Sequence, residues 1–89
     1  MSAQHTPGPW GLSHGINTWV MAGQLHVASV PRAYDGDWSH ANARLIAAAP
    51  ELLDEGRNAL HLLRALGHED TAEAQALAAA IAKATGGAA

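Results

Sequence analysis

Eighty-nine residues without a cysteine rule out a disulfide framework and any thiolate metal site. A formal net charge of −3, with only five Lys and Arg, argues against a duplex-DNA binder, whose affinity comes mainly from neutralising phosphates. No apolar run approaches the ~20 residues needed to span a bilayer. The polar, proline-containing start lacks the basic flank and apolar stretch of a secretory signal, so a cytoplasmic protein is expected.

Residues 1–9 read as an irregular arm, ending in His5-Thr6-Pro7-Gly8-Pro9-Trp10. Pro7-Gly8 suits the central pair of a type II turn, with Gly8 at positive φ. Trp10 then has two readings: the core plug of a small sheet, or an aromatic wall of a binding site. From 10 to 31 the pattern is β, because Trp10 and Leu12, and later Leu25 and Val27, alternate with small or polar residues. Strands are predicted near 10–13, 18–22 and 25–30 in an antiparallel meander, with Ala22-Gly23 as the hairpin turn. Pro31 ends it, since proline cannot donate to a ladder. Arg32 to Asp37 reads as a loop, with Asp37 or Ser39 as helix N-cap.

Helices fill residues 38–85. Alanine-rich ANARLIAAAPELL (Ala41–Leu53) starts as helix, and Pro50 interrupts it, having no N–H and forcing Ala49 out of the α region. One helix is therefore predicted from Trp38 to Ala48 and a second from Pro50 to Leu66, where proline sits comfortably at the first position. The second buries Leu53, Leu60 and Leu63, widened by Leu52, Ala59 and Leu66, and Gly67 is placed as its C′ residue. Asp70-Thr71-Ala72-Glu73 resembles a capping box led by Asp70, starting a third helix. Gly86 and Gly87 end that helix, leaving 86–89 as a loose tail. The expected class is α+β: one domain over 1–89, a small antiparallel meander of about three strands packed against two to three helices. Its expected core is Trp10, Trp19, Leu45, Ile46, Leu53, Leu60 and Leu63. Much of the apolar content is alanine, which buries little area, so a homo-oligomer is expected to supply the missing burial.

Tests for chemistry come out negative. Six histidines occur, yet no pair has the H-x₃-H spacing of a helical zinc site, and Asp35, Asp37 and His40 form only a loop cluster. Ser13-His14 and Ser39-His40 are sequence neighbours, which says nothing about triad geometry. No strand-to-helix glycine-rich loop cradles a phosphate. The expectation is a protein that is not an enzyme and uses no cofactor and no metal.

What remains is a set of recognition residues. Trp10, Trp19, Trp38 and Tyr34 offer flat faces for a base, Arg32, Arg44, Arg57 and Arg64 can grip phosphate, and Asn17, Asn42, Asn58 and Thr6 can read polar edges. Each has a structural reading as well: Trp in the core, Arg along a helix flank, Asn at a turn.

The HTPGPW stretch and the ANARLIAAAPELL stretch, in that order with a β-rich segment between them, resemble a widespread group of small phage and prophage proteins over roughly residues 5 to 66. That resemblance implies a viral protein made in the cytoplasm of an infected bacterium. In size, class and expected oligomerisation the chain is also similar to viral sponges that sequester nucleotide immune signals, such as TIR-made cyclic ADP-ribose species or cyclic dinucleotides. The implied ligand is then a small nucleotide-derived signal, held where the arm meets the first helix. Trp10 or Trp19 would stack on the base, Arg44 would pair with phosphate, and His5, Thr6 and Asn42 would hydrogen-bond base or ribose. The alternative is a phage accessory protein that binds a host or viral protein through a helical surface.

Overall fold

A computed structural model of the chain describes residues 4–14, 18–31 and 38–87. The connection at Gly15-Ile16-Asn17, the loop from Arg32 to Asp37 with Tyr34 and Asp35, and the capping role expected of Asp37 lie outside the described residues. The elements follow the expected order: β1 Gly11–His14, β2 Thr18–Ala22, β3 Leu25–Val30, α1 Trp38–Ala47, α2 Ala49–Ala65 and α3 Ala72–Ala84. The chain forms two compact units, Thr6–Glu51 and the residues from Leu52 onward, with which His5 is grouped.

In the first unit the three strands form an antiparallel sheet in the order β1-β2-β3. Gly23 takes a φ of 61° and shares the β2–β3 turn with Gln24, while Ala22 still pairs with Leu25. The turn is therefore Gly23-Gln24, one residue later than Ala22-Gly23, because the first central position of a type II′ turn needs the positive φ that only glycine adopts freely. Met21 pairs with His26 but Val20 with Ala28, so Val27 is the extra residue of a β-bulge. The bulge lets the adjacent Val27 and Ala28 both pack toward the core, which strict alternation would forbid.

One face of this sheet is covered by α1. Val20 (0% exposed), Val30 and Ala43 form the centre, with Trp10, Leu12, Val27, Ala28, Ile46 and Ala47 packed around them. Val20 is buried and its neighbour Trp19 therefore points to the opposite face, where 44% of it is exposed. Leu45 is 64% exposed, because Ala43, Ile46 and Ala47 already occupy the sheet-facing side of α1. Both residues drop out of the expected core. Ser39 is buried inside α1, one position past its first residue, and so is not its cap.

The two sequence stretches that carry the phage resemblance meet in this unit. Gly8 lies so close to buried Pro50 that a Cβ at residue 8 would come within 3.1 Å of the proline Cβ. Gly8 has no positive φ, so the expected type II turn at Pro7-Gly8 is absent; the Gly8–Pro9 peptide is cis. Trp10 Nε1 donates to the Thr6 carbonyl at 3.0 Å and closes the arm into a small loop.

The second unit pairs α2 with α3. Leu60, Ala74 and Ile81 are buried together, with Leu53, Leu63, Leu77 and Ala78 partly covered around them. Leu52, Ala59 and Leu66, expected to widen the buried stripe, are exposed instead. The C-terminus of α2 follows the sequence expectation closely. Gly67 at φ 77° donates to Arg64 O, and His68 N donates to Leu63 O at 2.8 Å, the two bonds of a Schellman cap. The N-cap of α3 is Thr71 and not Asp70: Thr71 Oγ1 accepts from Ala74 N at 3.2 Å. A hydroxyl three residues before a free helical N–H does the capping, and Asp70 is one residue too early.

Candidate functional site

The residues expected to contact a ligand occupy several different surfaces. Residues two apart on a helix are about 200° apart around its axis, so Asn42 and Arg44 leave α1 on opposite flanks. Asn42 stands one turn after Trp38, beside the outward stripe Trp38, Ala41 and Leu45, all of them exposed. Arg44 stands one turn after His40. The His40 ring lies 5.8 Å from that of His14 on β1, bringing together two histidines whose sequence positions gave no hint of proximity.

Trp19 stands on the far face of the sheet from α1. Its ring meets His26 edge-on, with centroids 5.2 Å apart, and His26 Nε2 is 2.9 Å from Ser29 Oγ. Cross-strand register puts Ser13 and Ser29 on either side of Trp19. Trp10 packs against the core from the opposite face, and its indole N–H is taken by Thr6 O. Those contacts favour the structural reading of Trp10. An open depression of about 380 Å³ runs beside the arm, lined by Pro9, Trp10, Leu12, Ser13, Met21 and Gly23 among others. Neither Asn42 nor Arg44 lines it. His5 is exposed and grouped with the second unit.

A more cationic surface lies in the second unit. Arg57, His61 and Arg64, spaced i, i+4 and i+7, follow one flank of α2 and border a groove of about 210 Å³ floored by Leu60, Ala78 and Ile81. Two turns of helix separate Arg57 from Arg64, about 10 Å along the axis. Among the described residues neither arginine forms an ion pair, and α3 faces them with alanine. The sequence already held this signal: three bases at helical spacing, set beside the Leu53–Leu60 stripe.

Among the described residues no group of three or more His, Asp or Glu is placed to hold a metal ion, and no helix is long and apolar enough to cross a membrane. The described parts define a small α+β protein: a helix-backed meander, and a helical pair with a cationic groove. The chain belongs to the family described as Salmonella phage P22 protein Y8K6, whose model matches residues 1–88. No curated protein and no solved structure matches the chain.

Proposed function

We propose that this phage protein is a non-catalytic binding protein that sequesters a nucleotide-derived bacterial immune signal, a cyclic ADP-ribose species or a cyclic dinucleotide, in the cytoplasm of the infected host. The observation that carries the reading is the α2–α3 groove. Two arginines without an ion-pair partner among the described residues line one wall with a histidine, and Leu60, Ala78 and Ile81 form an apolar floor. Phosphates suit the arginines, whose planar forks bind such oxygens bidentately, and a base or ribose face suits the alanine and isoleucine side. Nothing in that wall offers a nucleophile paired with a base, so the bound molecule would be held and not converted. The site thereby moves from the arm and α1 to α2. His5, Thr6, Trp10, Asn42 and Arg44 then serve the fold or other surfaces, and Trp19 remains a separate exposed aromatic.

Calorimetry against a panel of cyclic ADP-ribose isomers and cyclic dinucleotides tests this, followed by heating to release the ligand. Release of an intact molecule is expected. Arg57→Ala and Arg64→Ala should each lose about 1.5–3 kcal/mol, or roughly 10- to 150-fold in affinity, while Arg44→Ala should change little. Absence of heat with every signal would refute the reading, and recovery of a converted product would show an enzyme.

One observation favours the second reading, an accessory protein that binds a host or viral protein. Trp38, Ala41 and Leu45 form an exposed apolar stripe on α1 at helical spacing, the kind of surface a helical partner could cover.

A further inference from the structure

At one end of the sheet unit two imidazoles stand together at the surface. His14 closes β1 and pairs with Thr18, just as Leu12 pairs with Val20. Leu12 packs on the core, and Val20 and Thr18 are buried, so strand parity puts the His14 side chain on the face that α1 covers. His40 lies in the first turn of α1, three and seven residues before Ala43 and Ala47, which pack into the same core. Helical spacing therefore turns His40 toward the sheet as well. Both histidines are exposed, and their ring centroids lie 5.8 Å apart with the planes tilted by 39°.

That separation is close to the one a shared metal ion imposes. A zinc–imidazole bond of about 2.0–2.1 Å puts the ion ~3.2 Å from each ring centroid, so a tetrahedral angle holds two centroids ~5.2 Å apart. The observed 5.8 Å corresponds to an angle of ~130°, or to a closure of ~0.6 Å by two solvent-exposed side chains. We propose that His14 and His40 together bind one divalent cation of the zinc class, clipping the end of β1 to the first turn of α1. Two imidazole nitrogens suit zinc, nickel or copper(II), whereas magnesium and calcium take oxygen ligands. Among the described residues no third His, Asp or Glu joins the pair, so solvent completes the coordination and the ion is exchangeable. Arg44, one turn beyond His40, is exposed, and its long side chain can carry its charge away into water. An ion held between two elements binds the folded unit and not the unfolded chain, so it raises thermal stability by mass action.

Calorimetry with zinc chloride and with nickel chloride, in a buffer that does not coordinate metals, tests the site. One ion per chain is expected, and about a hundredfold excess of free ion over Kd should raise the Tm by about 10 °C. His14→Ala and His40→Ala should each weaken binding about tenfold or more and remove most of that rise. Both side chains are exposed, so each variant should keep the circular dichroism of the unaltered chain. His68→Ala, which replaces an exposed histidine of the second unit, should leave affinity and Tm shift unchanged. Paramagnetic nickel should broaden the resonances of β1 and α1 at the same stoichiometry. Failure of the unaltered chain to bind either ion at millimolar concentration would overturn the proposal. So would a loss confined to one of the two variants, which marks a single-imidazole contact, or an equal loss with His68→Ala, which marks ions scattered over the surface histidines.

Discussion

Gly56 sits in the middle of α2, on the side that faces α3, and its replacement by alanine should stabilise the protein. Glycine in a helix interior is about 1 kcal/mol less favourable than alanine, because the unfolded chain loses more backbone freedom on folding. Whether that gain is realised depends on the room available for a methyl group. A Cβ at residue 56 would lie 3.6 Å from Leu77 Cδ1, 3.9 Å from Ile81 Cδ1 and 4.0 Å from Ile81 Cγ1. These are ordinary van der Waals separations to the ends of two side chains, so the methyl fills space without pushing the helices apart. Burying it contributes up to about 0.8 kcal/mol more. Gly56→Ala should thus raise stability by about 1–2 kcal/mol. In a chain of this size each kcal/mol moves the Tm by about 4–8 °C. Urea unfolding should show a higher midpoint with an unchanged slope, the sign that stability and not compactness has changed. A lower midpoint would mean that α2 and α3 approach each other more closely at Gly56 than these distances allow, and would refute the packing described for the second unit.

Gly8→Ala should act in the opposite direction, losing about 1–3 kcal/mol by urea melt, since its methyl would meet the Pro50 ring at 3.1 Å. Val20→Ala removes the fully buried centre of the sheet unit and should cost about 2 kcal/mol, whereas Trp19→Ala, with 44% of its side chain in water, should cost less than a core tryptophan would. Thr71→Ala deletes the α3 cap and should lower stability by about 1 kcal/mol, while Asp70→Ala should change it by a few tenths. Gly67→Ala forces a side chain into the left-handed region at φ 77° and should destabilise by about 1 kcal/mol in the same assay.

Local chemistry made most of the fold legible. The strand and helix bounds follow from alternation, from Pro31 and Pro50, and from Gly67, each of which acts through its own backbone. Misreadings arose where two neighbouring residues could both do the job. Ala22-Gly23 and Gly23-Gln24 are equally short, and only the demand for positive φ at the first position separates them. Asp70 and Thr71 are both good caps, and the choice falls on Thr71 because it immediately precedes the first helical residue, Ala72. Trp19 is a different case. Its size suggested the core, but a strand offers its residues to opposite faces in turn, and the small Val20 holds the face that α1 covers. Large residues were expected inside because they bury the most area, yet the parity of the strand decides the side first.

The site was harder to read than the fold because its residues were judged by type and not by angle. Asn42 and Arg44 looked like a pair in the sequence, but a helix turns about 100° per residue and separates positions i and i+2. Arg57 and Arg64 stand in the sequence simply as two of four arginines able to grip phosphate, yet the same rotation returns them, with His61, to one flank beside an apolar groove. The periodicity that identifies the buried stripe of a helix applies equally to its polar residues and to its unburied leucines. Applied to α2, it yields three stripes with three separate uses: Leu53, Leu60 and Leu63 against α3, Arg57, His61 and Arg64 along the groove, and Leu52, Ala59, Leu62 and Leu66 in water. A helix needed only to cover one neighbour requires the first stripe alone. The cationic stripe requires a different account, and the anionic ligand proposed for the groove would supply one.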